Sequence, residues 1–286
     1  MVTIVNHICL KNQHPRKVLV NYANMKFEDA RKIQRKYAKL AGFTDIYEYN
    51  PDDIGGEYKS IHHEIFLYER GDGLWIWKPY IINKTLKMID EGDIILYCDS
   101  GAFFFKSAKS IFKIINQKGI WVSELPLIEK QFTKRKVFET MKMVDVSFLD
   151  SAQISGSFFG MKKDSDSEKI VEEWLSLCEN IDILSPADCN DEESYFVSHR
   201  EDQSIFSLVI KKNNIKPYSD PSQYGRLPEK YFQNNWMFKY HDGIPGKQDY
   251  PICVIHHRTP DGNTKVIIRQ LLCAILPRKI GLMFIK

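Results

Sequence analysis

The apolar run Asp93-Ile94-Ile95-Leu96-Tyr97-Cys98 stops abruptly at Asp99-Ser100-Gly101. Such a run reads as a buried central strand. A carboxylate at its carboxyl end stands where open α/β sheets bind their ligands, so Asp99 is the first candidate for chemistry; the alternative is an aspartate that only starts a turn. Trp75, Trp77, Lys78, Pro79 and Tyr80 form an aromatic entry to a helical segment. A helix N-terminus offers free N–H groups and a positive dipole end to phosphate, and Lys78 adds a point charge; as core residues the tryptophans would need no ligand. Asp202, ahead of Gln203-Ser204-Ile205, has the pattern of a helix cap. His199 and Arg200 before it could hold phosphate or face solvent. His256-His257-Arg258 follows the short apolar run Ile252 to Ile255. Imidazole ligates Mn²⁺, and neighbours on a strand point to opposite faces, so one histidine of the pair at most can face a metal.

The elements that must position these residues alternate. Lys17 to Tyr22 is a β-branched apolar run, Lys26 to Leu40 carries apolar and alanine residues at helical spacing with Gly42 as its stop, and Phe43 to Tyr49 reads as a second strand. Strand, helix, strand is the unit of parallel sheets, and Asn21-Tyr22-Ala23 ends its first strand, where an aromatic ring could stack on a base. Glu57 to Arg70 and Ile76 to Ile89 have helical periodicity around Gly71-Asp72-Gly73. After the Asp99 turn come a helix over about Ser107 to Gln117, a short strand at Ile120 to Ser123 and a basic helical stretch near Glu129 to Met143. Gln153 to Met161 reads as a strand carrying Gly156 and Gly160. Glycine there lets the backbone approach a ligand, or marks a bulge. Ser167 to Cys178 and Asp202 to Lys212 read as helices around an acidic loop at Asp188 to Glu193. From Pro217 to Pro260, prolines and clustered aromatics replace periodicity, the texture of a substrate-binding excursion. His62-His63 lies on a helical segment without companion ligands and reads as surface or core.

Composition excludes several classes. The 286 residues are 43% hydrophobic and 27% charged, which is neither disordered nor fibrous. A net charge of +3 gives no general drive toward nucleic acid. The six cysteines, Cys9, Cys98, Cys178, Cys189, Cys253 and Cys273, form no Cys-x-x-Cys pair and read as reduced thiols. Met1 to Lys17 lacks the apolar stretch of an export signal, and no run approaches the roughly 18 apolar residues of a membrane span. A cytoplasmic placement is expected. The tail Val266 to Lys286 mixes apolar and basic residues, which suits either a packed terminal element or peripheral contact with a membrane face.

Two blocks carry a resemblance. Gly73-Leu74-Trp75-Ile76-Trp77-Lys78-Pro79-Tyr80-Ile81-Ile82, with Gly92-Asp93 and Leu96 to Gly101, and later His199-Arg200-Glu201-Asp202-Gln203-Ser204-Ile205, resemble a group of glycosyltransferases of bacterial capsule and lipopolysaccharide loci. The resemblance implies a GT-A type α/β fold: a Rossmann-like sandwich with a mostly parallel central sheet in a single domain over 1–265. Its nucleotide-sugar half would cover about 17–161 and its acceptor half about 162–265, with 266–286 as a tail. It implies that Asp99 holds a divalent cation, Mn²⁺ or Mg²⁺, bridging the donor's diphosphate, although Gly101 stands where an Asp-x-Asp motif has its second carboxylate. It implies a metal-binding histidine, with His257 preferred and His256 next. Donor contacts would come from Asn21, Tyr22, Ala23, Trp77, Lys78, Ser100, Gly156 and His199, and Asp202 would be the base that takes the proton of the acceptor hydroxyl. The expected partners are a nucleoside-diphosphate sugar, a UDP-sugar first, and a glycan or lipid-linked glycan acceptor.

Two other readings use the same residues. A sugar-nucleotidyltransferase needs a glycine-rich basic loop after the first strand, and Asn21-Tyr22-Ala23-Asn24-Met25 has neither glycine nor lysine. A non-catalytic glycan-binding or scaffold protein of the same fold would bind no nucleotide in a metal-dependent way.

Overall fold

The computed structural model describes residues 3–4, 15–187, 189 and 191–285. Cys9, most of the N-terminal segment, Asp188 and Asn190 of the acidic loop, and Lys286 lie outside the described residues. The strands are β1 (Thr3–Ile4), β2 (Lys17–Tyr22), β3 (Asp45–Tyr49), β4 (Ile94–Cys98), β5 (Ala102–Phe104), β6 (Ile120–Ile128), β7 (Ala152–Lys162) and β8 (Val254–His256). Six of them form one sheet in the order β1-β3-β2-β4-β7-β6, and β5 pairs with β8 in a small second sheet.

The middle of the large sheet is parallel, as its apolar runs require. β2 pairs in parallel with both β3 and β4, with Val20 opposite Tyr47 on one side and Tyr97 on the other. Every residue of β4 is buried, because both faces of the sheet are covered. Alternate residues feed two cores. Val18, Val20, Ile95 and Tyr97 pack with the helices Trp77–Leu86, Ser165–Cys178 and Glu201–Lys212, while Leu19, Leu96 and Cys98 pack with Glu28–Ala41 and Lys109–Lys118. The result is a helix–sheet–helix sandwich, a mixed α/β fold in which β7 runs antiparallel to its neighbours β4 and β6, and β1 antiparallel to β3.

The parallel strands set one functional edge. Their carboxyl ends, Tyr22, Tyr49 and Cys98, lie together. β7 returns beside β4 with Phe158 opposite Cys98, so the Asp99 N–H donates to the Ser157 carbonyl at 2.8 Å. β5 then pairs with β8, Ala102 opposite His256, which carries the histidine pair to the same edge.

Several expected elements differ in detail. The segment from Glu57 breaks into the helices Gly56–Ile61 and His63–Phe66 at His62, whose imidazole lies 3.6 Å from Glu179 at the end of the helix Ser165–Cys178. The stretch from Glu129 also breaks, into Glu129–Phe132 and Arg135–Met141, because Thr133 and Lys134 are extended and Lys134 Nζ donates to the Ser185 carbonyl at 2.6 Å. β6 runs on to Ile128 through two bulges and tolerates Pro126 because it is an edge strand. The excursion after Pro217 is irregular as expected and is tied to β6 by His241, whose ring nitrogens lie 2.7 Å from Glu124 and 2.9 Å from Asp249. The five described cysteines are free thiols.

Candidate active site

A cleft of about 750 Å³ opens over the carboxyl edge of the sheet. Tyr22, Ala23, Trp77, Lys78, Asp99, Ser100, His199, Asp202 and His256 line it, so most of the candidates chosen from sequence meet in one cavity.

Lys78 is the centre of its charge arrangement. It is 3% exposed, and its Nζ lies 3.0 Å from Asp202 Oδ2 and 3.7 Å from Asp99 Oδ1 while donating to the Gly156 carbonyl at 3.1 Å. Burial pulls the lysine pKa down, but Asp202 and then Asp99 outweigh it, and the ammonium is held above its ordinary value. Asp202 feels the same burial in the opposite sense. Its pKa is pushed up to about 7, with Lys78 pulling against the shift. Asp202 is not the helix cap: the helix starts at Glu201, and the carboxylate turns toward Lys78. Trp174 Nε1 donates to the Asp202 carbonyl at 3.1 Å and fixes the backbone beneath it.

Asp99 is held by its turn. Tyr97 Oη donates to Asp99 Oδ1 at 2.6 Å, and Gln34 Nε2 donates to the carbonyls of Cys98, Asp99 and Ala102 at 3.2, 3.1 and 2.9 Å. Asn21 is fully buried and does not line the cleft; its Nδ2 donates to Gln34 Oε1 at 2.7 Å, so it acts on the turn through Gln34. Ser100 Oγ donates to the Tyr22 carbonyl at 2.6 Å and joins the ends of β2 and β4. Gly101 packs against Arg258: a Cβ there would stand 3.3 Å from Arg258 Cα, and the Gly101 carbonyl accepts the N–H groups of both His257 and Arg258 at 2.9 Å. Close backbone approach explains glycine at that position.

The remaining candidates sort by contact. One face of the Tyr22 ring is covered by Trp77, with centroids 3.8 Å apart, so only its other side is left for a base. Gly156 is not a lining residue; its carbonyl holds Lys78 and its N–H donates to Gln203 Oε1 at 3.0 Å. His199 lines the wall with both ring nitrogens engaged by backbone, Nε2 at 2.9 Å from the Ile183 carbonyl and Nδ1 at 3.4 Å from the Lys134 nitrogen. Burial, reinforced by Lys134, lowers its pKa to about 3, which makes it a neutral strut. The two histidines separate, and the buried Nε2 of His257 has no hydrogen-bond partner among the described residues. His256 lines the cleft, whereas His257 packs near Phe103 and its Nδ1 lies 2.9 Å from Thr259 Oγ1. The opposite-face rule anticipates the split but not its direction.

Some residues of the site escaped the sequence reading. Arg70 Nε donates to Glu201 Oε1 at 2.7 Å across the rim, and Asp72 accepts from Tyr22 Oη at 3.1 Å. Asp72, Gly73, Leu74 and Trp75 form a run of positive φ, from 52° to 92°, which aims this segment into the cleft. Lys230, Tyr231 and Trp236 complete the far wall, together with Arg200, already a candidate from sequence, and Arg258. The Gly-Asp-Gly triplet and the Arg258 that follows His257 were the available signals.

Asp99 and His256 both line the cleft and would be the residues here to hold a divalent cation. Burial and the nearby Arg258 hold the imidazole neutral, far below its ordinary pKa, so a ring nitrogen keeps its lone pair. Neither ring nitrogen has a hydrogen bond among the described residues, and Asp99 Oδ2 is not the oxygen that Tyr97 occupies. The one group of three candidate ligands found elsewhere among the described residues, His241, Asp242 and Asp249, lies outside this cleft.

No family model matches the chain, and no curated protein does. Similar solved structures include galactosyltransferase LgtC in complex with donor and acceptor sugar analogues, at 12% identity and TM-score 0.45 over 92% of this chain and 98% of that one. Mouse xyloside xylosyltransferase 1 is similar at 9% identity and TM-score 0.46, over 88% and 98%. The glycosyltransferase GlyE of Streptococcus pneumoniae TIGR4 is similar at 15% identity and TM-score 0.43, over 94% and 63%. At these values the likeness is distant and assigns no residue a role.

Proposed function

We propose that the chain is a glycosyltransferase of GT-A type that moves a hexose from a nucleoside-diphosphate sugar, a UDP-sugar first, to a glycan acceptor of a surface polysaccharide. The observation that carries this reading is the pair of carboxylates, Asp99 and Asp202, set on one buried lysine at the carboxyl edge of the sheet. Asp99 and His256 would hold Mn²⁺ or Mg²⁺, which when bound neutralises the charge of the departing diphosphate. Asp202 takes the proton of the acceptor hydroxyl as its oxygen bonds to the anomeric carbon; the bond to the diphosphate oxygen breaks, and that oxygen leaves with the electron pair. A carboxylate with a pKa near 7 suits this work, because it is largely free to accept a proton slightly above neutrality and binds it well. Lys78 holds the two carboxylates in place rather than contacting diphosphate, since its charge is already matched.

The tail contributes a second element of the proposal. The helix Thr264–Ile275 buries Cys273 and Ala274 but leaves Ile268 and Ile275 exposed, and Ile280 and Met283 follow on the surface. These side chains suit peripheral contact with a membrane carrying a lipid-linked acceptor. Among the described residues no helix is long and apolar enough to cross one.

The test is turnover of a panel of nucleoside-diphosphate sugars with Mn²⁺, followed by NMR of the product. Wild type consumes one donor, and Asp202→Asn loses at least about a hundredfold in kcat. Full activity of Asp202→Asn, or retention of the donor's anomeric configuration, removes the base role from Asp202; turnover of no donor removes the transferase reading.

A further inference from the structure

Cations in this cleft are of two kinds. Lys78 and Arg70 are matched, by Asp202 with Asp99 and by Glu201 respectively. Arg200 and Arg258 are not: neither forms an ion pair with a carboxylate among the described residues, although both line the cleft. Arg200 lies 4.3 Å over the ring of Phe132, and Arg258 lies 4.4 Å over the ring of Tyr224, with only a long 3.4 Å contact from Nη2 to Tyr231 Oη. Lys230 stands over the other side of the same neighbourhood, 5.4 Å from the Tyr224 ring. The acids nearest to them are engaged elsewhere. Glu201 accepts from Arg70, and Glu129 accepts from Ser207 and pairs with Lys211; Asp220 accepts the Ser222 N–H with Oδ1 at 2.7 Å and is near enough to act on Arg258 only through space, without an ion pair.

Stacking on aromatic faces fixes the guanidinium planes and leaves their N–H edges to point at a ligand. Three like charges gathered at one end of a cavity repel one another: burial, with Arg258 adding to it, brings the Arg200 pKa down to about 10, whereas at Arg258 burial is outweighed by Tyr231, Tyr224 and Asp220, which hold it above its ordinary value. An oxyanion in the cleft would relieve both effects through charge-assisted hydrogen bonds. The place of Arg200 indicates which substrate carries that anion, and Arg258 joins it from beside the Asp99 turn, where its N–H donates to the Gly101 carbonyl at 2.9 Å. Arg200 enters the same helix as Asp202, the proposed base, and Phe132 beneath it packs edge-on against Trp236 at 4.9 Å. Trp236 is half-buried and lines the cleft, an aromatic surface on which a sugar ring can rest.

We infer that Arg200, Arg258 and Lys230 form a subsite for a carboxylate or phosphate group on the acceptor, so that this chain acts on an acidic glycan. The inference rests on the glycosyltransferase reading for the word acceptor, but the anion subsite itself does not.

The experiment is isothermal titration of the full chain with D-glucuronate, inorganic phosphate and neutral D-glucose, each with and without saturating UDP and Mn²⁺. Glucuronate and phosphate bind more tightly than glucose and continue to bind when UDP is present. Arg200→Gln and Arg258→Gln each weaken the anions roughly ten- to a hundredfold, Arg200→Lys loses less, and UDP affinity stays within about twofold. Arg200→Lys keeps the charge over Phe132 and guards against a variant that merely misfolds. If UDP displaces both anions and Arg200→Gln weakens UDP equally, the cluster belongs to the donor diphosphate and the inference is overturned. Equal binding of glucuronate and glucose also overturns it. Arg200-dependent anion binding in a protein that binds no UDP upholds the subsite and defeats the donor reading instead.

Discussion

Lys78 and Arg200 line one cleft and live in opposite electrostatic circumstances. Lys78 is buried, touches two carboxylates and a carbonyl, and keeps its proton because of them. Arg200 is mostly buried too but rests on an aromatic ring, and has no carboxylate partner among the described residues. A matched charge is a structural part, since removing it strands its partners; an unmatched one is open to a ligand and contributes little to folding. The contrast separates the residues that hold the site together from those that would read what enters it.

Breaking the matched side has the largest effect. Lys78→Met leaves Asp202 and Asp99 without their cation and lowers the unfolding free energy by about 3–5 kcal/mol in urea titrations. Adding Asp202→Asn to that variant returns much of the loss, because the stranded charge is gone; failure of the double variant to recover would break the comparison.

The pH dependence sharpens it next. With its pKa pushed up to about 7, Asp202 in the folded chain holds a proton that the unfolded chain, near 3.9, has already released. Stability therefore falls as pH rises from about 4 to about 7, and Asp202→Asn flattens that fall. Activity moves the other way: kcat/KM rises about tenfold per unit below pH 7 and levels above it.

Smaller effects follow from supports. Gln34→Leu frees three backbone carbonyls at the Asp99 turn and costs about 1–3 kcal/mol, read from the same denaturation curves, together with weakened metal-dependent nucleotide binding. Arg200→Met, on the unmatched side, changes stability by no more than about 0.5 kcal/mol. A loss as large as that of Lys78→Met would mean that Arg200 is structural too.

Much of this arrangement was legible in the sequence because it follows from periodicity and from strand ends. The β4 run and its terminal Asp99 needed only the rule that ligands gather at the carboxyl edge of a parallel sheet. Asp202 and Lys78 were visible as residues at helix starts, but not as partners, since 124 positions separate them and the helix Ser165–Cys178, packed against both of their helices, brings them together. The same limit hid the choice between His256 and His257, which depends on the pairing of β8 with β5. Breaks at His62 and Thr133 were hidden because tertiary bonds from Glu179 and Ser185 override local helical pattern. Arg200 was legible as a cation that could hold phosphate, but not as an unmatched one, because the sequence shows a cation and not whether a carboxylate reaches it.

The most direct measurement is a thermal-shift panel of UDP, GDP, CMP and dTDP with and without Mn²⁺, on wild type and Asp99→Ala. A ligand of the folded state raises its apparent stability by mass action. Stabilisation by one nucleotide that requires Mn²⁺ and vanishes in Asp99→Ala is the predicted result. No shift with any nucleotide, or an equal shift in wild type and variant without regard to Mn²⁺, would contradict a nucleotide-sugar site built on Asp99.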